Sequence, residues 1–323
     1  MRNRKLESMT ASCALAGVLA CALAAPVAAS DQAPFDRIVV FGTSLSDPGN
    51  AFALLGTNNT PPDYSVDPFL IPDRPYAKGG HHFSNGATWV EQFARPLGLA
   101  GSVKPALRSP GSGATNYAVG GARAYDAGGP FDLPRQVERF LQDFGGAAPA
   151  SALYVVEMGG NDLRDALVAG LTGGPSASAA VIEAALASIA HNITRLYMAG
   201  ATDFLVWTAP DIGLTPAISS IGASGPAGML TFLFNANLDG VLAQLAGLPG
   251  IHFTRLDVYA KLHAVAGEPQ LFGLRNVKTA CITPSAPPFA CRTPEVFLFW
   301  DGIHPTRAAH AILAQEAAHA LAP

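Results

Sequence analysis

Arg37-Ile38-Val39-Val40-Phe41-Gly42-Thr43-Ser44 sets a short apolar, β-branched run against an abrupt change to small residues. Arg37–Gly42 reads as a strand without polar alternation, the pattern of a strand covered on both faces. Similar runs recur at Thr115–Ala118, Leu153–Met158, Asp203–Thr208 and Ile251–Leu256. Ala-rich stretches of helical spacing lie between them. The clearest is Ser176–Ala199, where Ile182, Leu186, Ile189, Ile193 and Leu196 recur every three or four residues, after Pro175 and before Gly200. Pro226–Leu245 and Thr306–Leu321 read as two more helices. Strands alternating with helices predict an α/β, doubly wound fold in one domain. Ligands of such sheets sit beyond the carboxyl ends of the strands, so those ends are where chemistry is expected.

Four polar blocks lie there: Phe41–Asn50 (FGTSLSDPGN), Asn116–Arg123 (NYAVGGAR), Gly159–Asp162 (GGND) and Phe299–Thr306 (FWDGIHPT). A hydroxyl at a sharp strand-to-helix turn is exposed, and backbone N–H groups there can face a developing oxyanion. Gly121 lets backbone approach closely. Asn161 offers a side-chain amide donor. His304 is a candidate base for Ser44, and Asp301, three residues earlier, a candidate to orient its imidazole. Pro305 suits the first turn of the final helix. Singly, each block has a plainer explanation: a turn serine, a glycine turn, an aspartate at a helix start. All four in order, at the places where this fold binds ligands, argue for a single site.

The same segments resemble the SGNH (GDSL-type) hydrolases, from about Arg37 onward. Phe83–Ala94 (FSNGATWVEQFA), LYVVEMGGNDL and FLFWDGIHPT further resemble its secreted bacterial branch of lipases, lysophospholipases, haemolysin-like phospholipases and choline-ester hydrolases. The resemblance implies a three-layer α/β/α sandwich, flavodoxin-like, around a mainly five-stranded parallel sheet. It implies Ser44 as nucleophile, Asp301 and His304 as acid and base, and an oxyanion hole of the Ser44 N–H, Gly121 (or Gly120, if the alignment slips by one) and Asn161. Ester or lipid substrates and no cofactor or metal go with it. Acyl transfer to another alcohol uses the same intermediate, and a non-catalytic binding module on the same fold is the rival from another class. One departure stands out: the usual Gly-Asp-Ser-Leu reads Gly-Thr-Ser-Leu, with Thr43 in place of the aspartate. A threonine hydroxyl can supply part of the bracing of that turn, so Thr43→Asp is expected to have a modest effect.

Outside the blocks, Arg2, Arg4 and Lys5 precede an apolar run from Cys13 to Val27 and small residues around Ala29. Residues 1–29 therefore read as a secretory signal peptide, leaving 30–323 as one hydrolase domain that is secreted or periplasmic. A retained anchor, or lipidation at Cys21, are the minor alternatives. Without residues 1–29 the chain has 17 basic and 23 acidic residues, a net charge of −6 that disfavours nucleic acid as partner. No later stretch has the ~20 uninterrupted apolar residues of a spanning helix, and the C-terminal membrane barrel that some relatives carry is not expected here. Cys281 and Cys291 are expected to form a disulfide across a surface loop, two free thiols being the alternative. Thr57–His82 and Lys278–Thr293 read as long loops. His81-His82 has no further ligand at metal spacing, and a rim or turn role is expected. Phe297, Phe299 and Trp300 are candidates for an acyl pocket or for core, and Asp211 for a turn. The sequon at Asn192 falls inside a helix.

Overall fold

The computed structural model describes residues 34–55, 70–77, 80–108, 113–284 and 287–322. The segment 1–29, Cys21 within it, and most of the Thr57–His82 loop lie outside the described residues.

Four parallel strands form the sheet: β1 (Arg37–Phe41), β2 (Ala152–Val156), β3 (Asp203–Trp207) and β4 (His252–Leu256), side by side in that order. The predicted strand at Thr115–Ala118 is reduced to a parallel bridge between Asn116 and Val40. Its backbone still continues the ladder, with Val40 N donating to Thr115 O, Tyr117 N to Val40 O and Val119 N to Gly42 O. It therefore lies on the far side of β1 from β2, a fifth position near the sheet's edge, and its outer side is bonded in turn to Ser102 and Ala106 and bridged to Pro105.

Alternate strand residues divide between two cores. Val39, Phe41, Tyr154, Val156, Phe204 and Val206 face one way. They meet α3 (Leu133–Asp143), α4 (Gly160–Gly173), α5 (Pro175–Met198) and α7 (Ser224–Leu245). Ile38, Val40, Leu153, Val155, Leu205 and Trp207 face the other way, against α2 (Trp89–Ala94), α8 (Val258–Gly267) and α9 (Arg307–Ala320). Both faces are thus dry, which is why these strands carry no polar alternation. The product is an α/β/α sandwich. Two short helices, α1 (Asn50–Leu55) and α6 (Pro216–Ser220), sit at the carboxyl ends. By length and composition α5 is the one described helix able to cross a membrane. Here Ile182, Leu186, Ile189, Ile193 and Leu196 are instead buried against the sheet.

The chain leaves β1 for the edge position at Thr115 and then returns past β1 to β2. Helices of opposite layers make these two connections, so a crevice opens beyond the end of β1. Ser44 lies there. At the neighbouring strand end, Gly159 turns β2 into α4 with φ +117°, a conformation that glycine adopts without strain. A Cβ at that position would lie 2.8 Å from the Phe234 ring and 3.0 Å from Ala209 Cβ.

The loop read over Lys278–Thr293 is more ordered than expected. β5 (Asn276–Ala280) pairs with β6 (Phe297–Phe299), and an antiparallel bridge joins Ile282 to Ala290. Cys281 and Cys291 form the disulfide that closes this hairpin. Gly159→Ala should lower stability by about 1–3 kcal/mol, through backbone strain and the Phe234 contact together. Chemical denaturation of the two proteins checks it; unchanged stability would mean that the β2–α4 junction yields easily.

Candidate functional site

Where β1 ends, its strand partners are replaced by side chains. Gln136 on α3 bonds both backbone groups of Gly42, accepting from its N–H and donating to its C=O, each at 2.9 Å. Thr43 N–H donates to Glu157 Oε2 at 2.8 Å, and Thr43 Oγ1 donates to Glu157 Oε1 at 2.8 Å. A single turn follows, closed by Ser46 N–H to Thr43 C=O, and the next helix begins only at Asn50. Asp47 caps that helix, accepting from the N–H groups of Gly49, Asn50 and Ala51, and also accepts the N–H of Gly120 at 2.9 Å. Burial pushes the Asp47 carboxyl up, while these four donors pull it back. Asn50 donates to Asn116 C=O and Ala118 C=O, stapling the serine turn to the glycine block.

That bond to Asp47 separates the two glycines. Gly120 N–H is committed, and a Cβ there would strike the Phe83 ring at 2.1 Å. Gly121 has φ +85°, and its N–H, like that of Ser44, has no hydrogen-bond partner among the described residues. Asn161, second residue of α4, donates one amide hydrogen to Ala122 C=O at 2.8 Å, leaving the other. Asp162 accepts Ala124 N–H, which fastens the same loop to α4. Its carboxyl is pushed up to about 6, chiefly by burial.

From the other end of the chain, β6 delivers a tight loop. Trp300 N–H bonds His304 C=O, and Thr306 N–H bonds Leu298 C=O. Asp301 Oδ1 accepts the N–H groups of Ile303 and His304 at 2.9 and 2.7 Å. Its Oδ2 lies 2.7 Å from His304 Nδ1 and accepts Tyr76 O–H at 3.1 Å. With a carboxylate at Nδ1, the proton sits on that nitrogen and Nε2 is free to accept. His304 Nε2 lies 2.8 Å from Ser44 Oγ. Asp301 is wholly buried, and His304 and Ser44 nearly so.

Residues to which the sequence reading gave no catalytic role fix this loop, three of them from the start of the Phe83–Ala94 block. Phe83 lies 5.2 Å from the imidazole, Ser84 Oγ donates to Pro305 C=O, and Asn85 Oδ1 accepts Arg307 N–H. Thr306 caps α9, which begins at Arg307, so Pro305 lies just before the first turn in which it was expected. Tyr76 packs edge-on against Trp300, and both lie against the Cys281–Cys291 hairpin. Tyr76 lies within the stretch read as the Thr57–His82 loop and carried no motif. Glu157 had a legible signal, a lone acid in an apolar strand run.

Of the remaining candidates, Asp211 and Phe299 line a cavity that reaches Ser44, and the others lie apart from this centre. His81 stacks on Phe52, and buried His82 meets Glu91 at 2.8 Å, a structural pairing at the rim. Asn192 is buried on α5. Asp211 caps a short turn through Gly213 N–H and pairs with His263. Phe297 and Trp300 belong to the cluster around the disulfide, whereas Phe299 lines a cavity.

Two cavities meet at Ser44 and His304. One, about 540 Å³, is open and bounded by Asp73, Phe83, Gly121, Asn161 and Arg164. The other, about 80 Å³, is a narrow slot between Trp207, Ile212, Ile218, Val258, Leu262, Leu298, Phe299 and Leu313.

A match to the family described as GDSL-like Lipase/Acylhydrolase spans residues 38–317. A GDSL esterase/lipase of Arabidopsis thaliana is 25% identical, over 86% of this chain and 89% of its own length. The phosphatidylcholine-sterol acyltransferase of Aeromonas hydrophila is 26% identical over 92% of this chain and 93% of its own. Esterase EstA of Pseudomonas aeruginosa is 28% identical over 95% of this chain, which spans 49% of that protein. With most of its length inside the family match, the chain belongs to the GDSL-like lipase/acylhydrolase family of carboxylic ester hydrolases.

Proposed function

We propose that the chain, exported with loss of residues 1–29, works as a single domain that hydrolyses carboxylic esters through an acyl-enzyme on Ser44. What supports this most is the continuous line Ser44 Oγ–His304–Asp301, at 2.8 and 2.7 Å, beside unused N–H groups. Ser44 Oγ attacks the ester carbonyl while His304 Nε2 takes its proton. Asp301 steadies the imidazolium that forms. The Ser44 N–H, the Gly121 N–H and the second amide hydrogen of Asn161 receive the oxyanion. His304 then protonates the departing alcohol, and water repeats the sequence on the acyl-enzyme.

The two cavities divide the substrate. The apolar slot takes the acyl chain, and the open cavity with Asp73 and Arg164 takes the polar alcohol part. A slot this narrow favours short acyl groups. Transfer of the acyl group to an alcohol other than water is a second reading, favoured by the acyltransferase name of the Aeromonas relative. Supplying an alcohol acceptor and analysing for the new ester distinguishes the two.

Ser44→Ala should abolish labelling by a fluorophosphonate and leave at most the ~10³–10⁴-fold over water that an oxyanion site alone supplies. Labelling that persists, at Ser46 for instance, would refute the nucleophile. Tyr76→Phe removes one donor to the Asp301 carboxylate and should lower kcat roughly tenfold with KM unchanged, the scale of one charge-assisted bond. Leu262→Ala enlarges the slot. The best p-nitrophenyl ester should then shift to a longer chain, at ~2–5 kcal/mol of stability; an unshifted chain-length profile would place the acyl group elsewhere.

A further inference from the structure

We infer that Glu157 is a positioning residue for the Ser44 turn, supplying from the adjacent strand the acid that the Gly-Asp-Ser-Leu motif carries at position 43. The inference rests on Ser44 being the nucleophile, but its test includes a readout that needs no turnover.

Glu157 follows the last residue of β2, and its backbone N–H extends the ladder to Phe41 C=O. Its side chain is 1% exposed and lies beneath the turn. Both oxygens are occupied there: Oε2 by Thr43 N–H, Oε1 by Thr43 Oγ1, with Ser46 Oγ a third donor to the carboxyl. Ser46 Oγ is held in turn by Trp89 Nε1–H at 3.0 Å. A Cβ on residue 42 would lie 2.8 Å from Oε2, so the acid also explains the glycine before Thr43. The acid thus grips the amide next to that of Ser44, and with it the direction of the Ser44 N–H and Oγ.

The same geometry changes what Thr43 means. An aspartate at 43 would set a second carboxyl against Glu157 in a buried site, where the two cannot ionise together and a further acid must be stripped of water. Thr43→Asp is therefore costly here, contrary to the modest effect expected from the motif alone. Threonine and glutamate form a complementary pair, hydroxyl on one strand end and acid on the next.

Burial pushes the Glu157 carboxyl up to about 8, against the pull of its three donors. Asp162, at the start of α4, is the titratable group whose charge acts on it and pushes the same way. With its carboxyl protonated, Glu157 donates its own O–H to a hydroxyl beside it, Thr43 Oγ1 or Ser46 Oγ, which then accepts in place of donating, and no buried anion sits below the oxyanion donors. Ionisation would place one there and oppose the charge that develops in the transition state. The native state keeps a proton that the unfolded chain releases above about 4.5. Stability therefore falls as pH rises from about 4.5 to about 8, and flattens above.

Glutamine is nearly isosteric with the neutral acid and also both donates and accepts. The test compares wild type, Glu157→Gln, Glu157→Ala, Thr43→Asp and the double variant Thr43→Asp/Glu157→Gln. Readouts are kcat and KM on p-nitrophenyl acetate at neutral pH, and melting temperature across the pH range. Glu157→Ala should lower kcat on the order of tenfold or more with little change in KM, and Glu157→Gln should recover most of that loss. Relative to Glu157→Gln, wild type should lose melting temperature steadily as pH rises through neutrality to about 8, since the Asp47 and Asp162 contributions cancel in the comparison. Thr43→Asp alone should be poorly stable, and Glu157→Gln should restore it. Parallel melting profiles, a Thr43→Asp protein as stable as wild type, or a Glu157→Gln enzyme as slow as Glu157→Ala would each overturn the inference. A wild type that folds but turns nothing over would instead refute the esterase reading, and the melting profiles would still decide the role of Glu157.

Discussion

A hydrogen bond of 2.8 Å between His304 and Ser44 joins residues 260 positions apart in the chain. Closing so long a loop is entropically costly, and one hydrogen bond cannot hold it. Its two ends must be placed independently, each by structure that would stand without the other. Ser44 is placed by the sheet, because it follows directly from a strand buried on both faces and gripped by Gln136 and Glu157. His304 is placed by a smaller unit: β5, β6 and the disulfide hairpin, with Ser84 and Asn85 bonded to the loop and to the start of α9. Each group of contacts is complete without the other, so neither end depends on the Ser44–His304 bond for its position.

Burial then turns position into chemistry. Asp301 is shut away from water yet accepts from two backbone amides, the imidazole and Tyr76. An ionised carboxylate survives in such a place only when its lone pairs are filled. The arrangement fills them and leaves the imidazole with one orientation and one tautomer. At the serine end the logic is reversed. Donors beneath Ser44 are consumed by Glu157 and Asp47, while the amides of Ser44 and Gly121 are left over, facing the open cavity. Where the turn's polar groups are satisfied and where they are not decides where an oxyanion would be held.

Much of this was legible in the sequence, for a physical reason. Strands covered on both faces must be continuously apolar, and α5 must present one apolar stripe, so both announce themselves. The four polar blocks stand out because polar residues at the ends of buried strands need a purpose. Thr115–Ala118 reads as a full strand but forms only isolated bridges, to Val40 on one side and Pro105 on the other, because its pairing runs over few residues. Lys278–Thr293 misled in the other direction: its prolines suggested a loose loop, but pairing with β6 is a tertiary event without local periodicity. Tyr76, Ser84 and Asn85 act by contacting groups more than 200 residues away, and no local pattern encodes that. Gly121 is preferred to Gly120 in the sequence on alignment alone. A single bond, donated by Gly120 N–H to Asp47, distinguishes their amides.

Thr43 shows how a broken motif and an intact site can coexist. Read along the chain, the missing aspartate is a loss, and it invites the idea of a decayed module. Read across the sheet, residue 43 faces residue 157, which carries an acid where the surrounding run is apolar. What the turn requires is a hydrogen-bonded acid under the serine, and nothing in that requirement says which strand must carry it. A buried acid with one hydroxyl partner also suits the site better than two acids could, because only one negative charge, if any, need be kept neutral there. The motif is therefore a property of a pair of positions, and it is judged only when both members are in view.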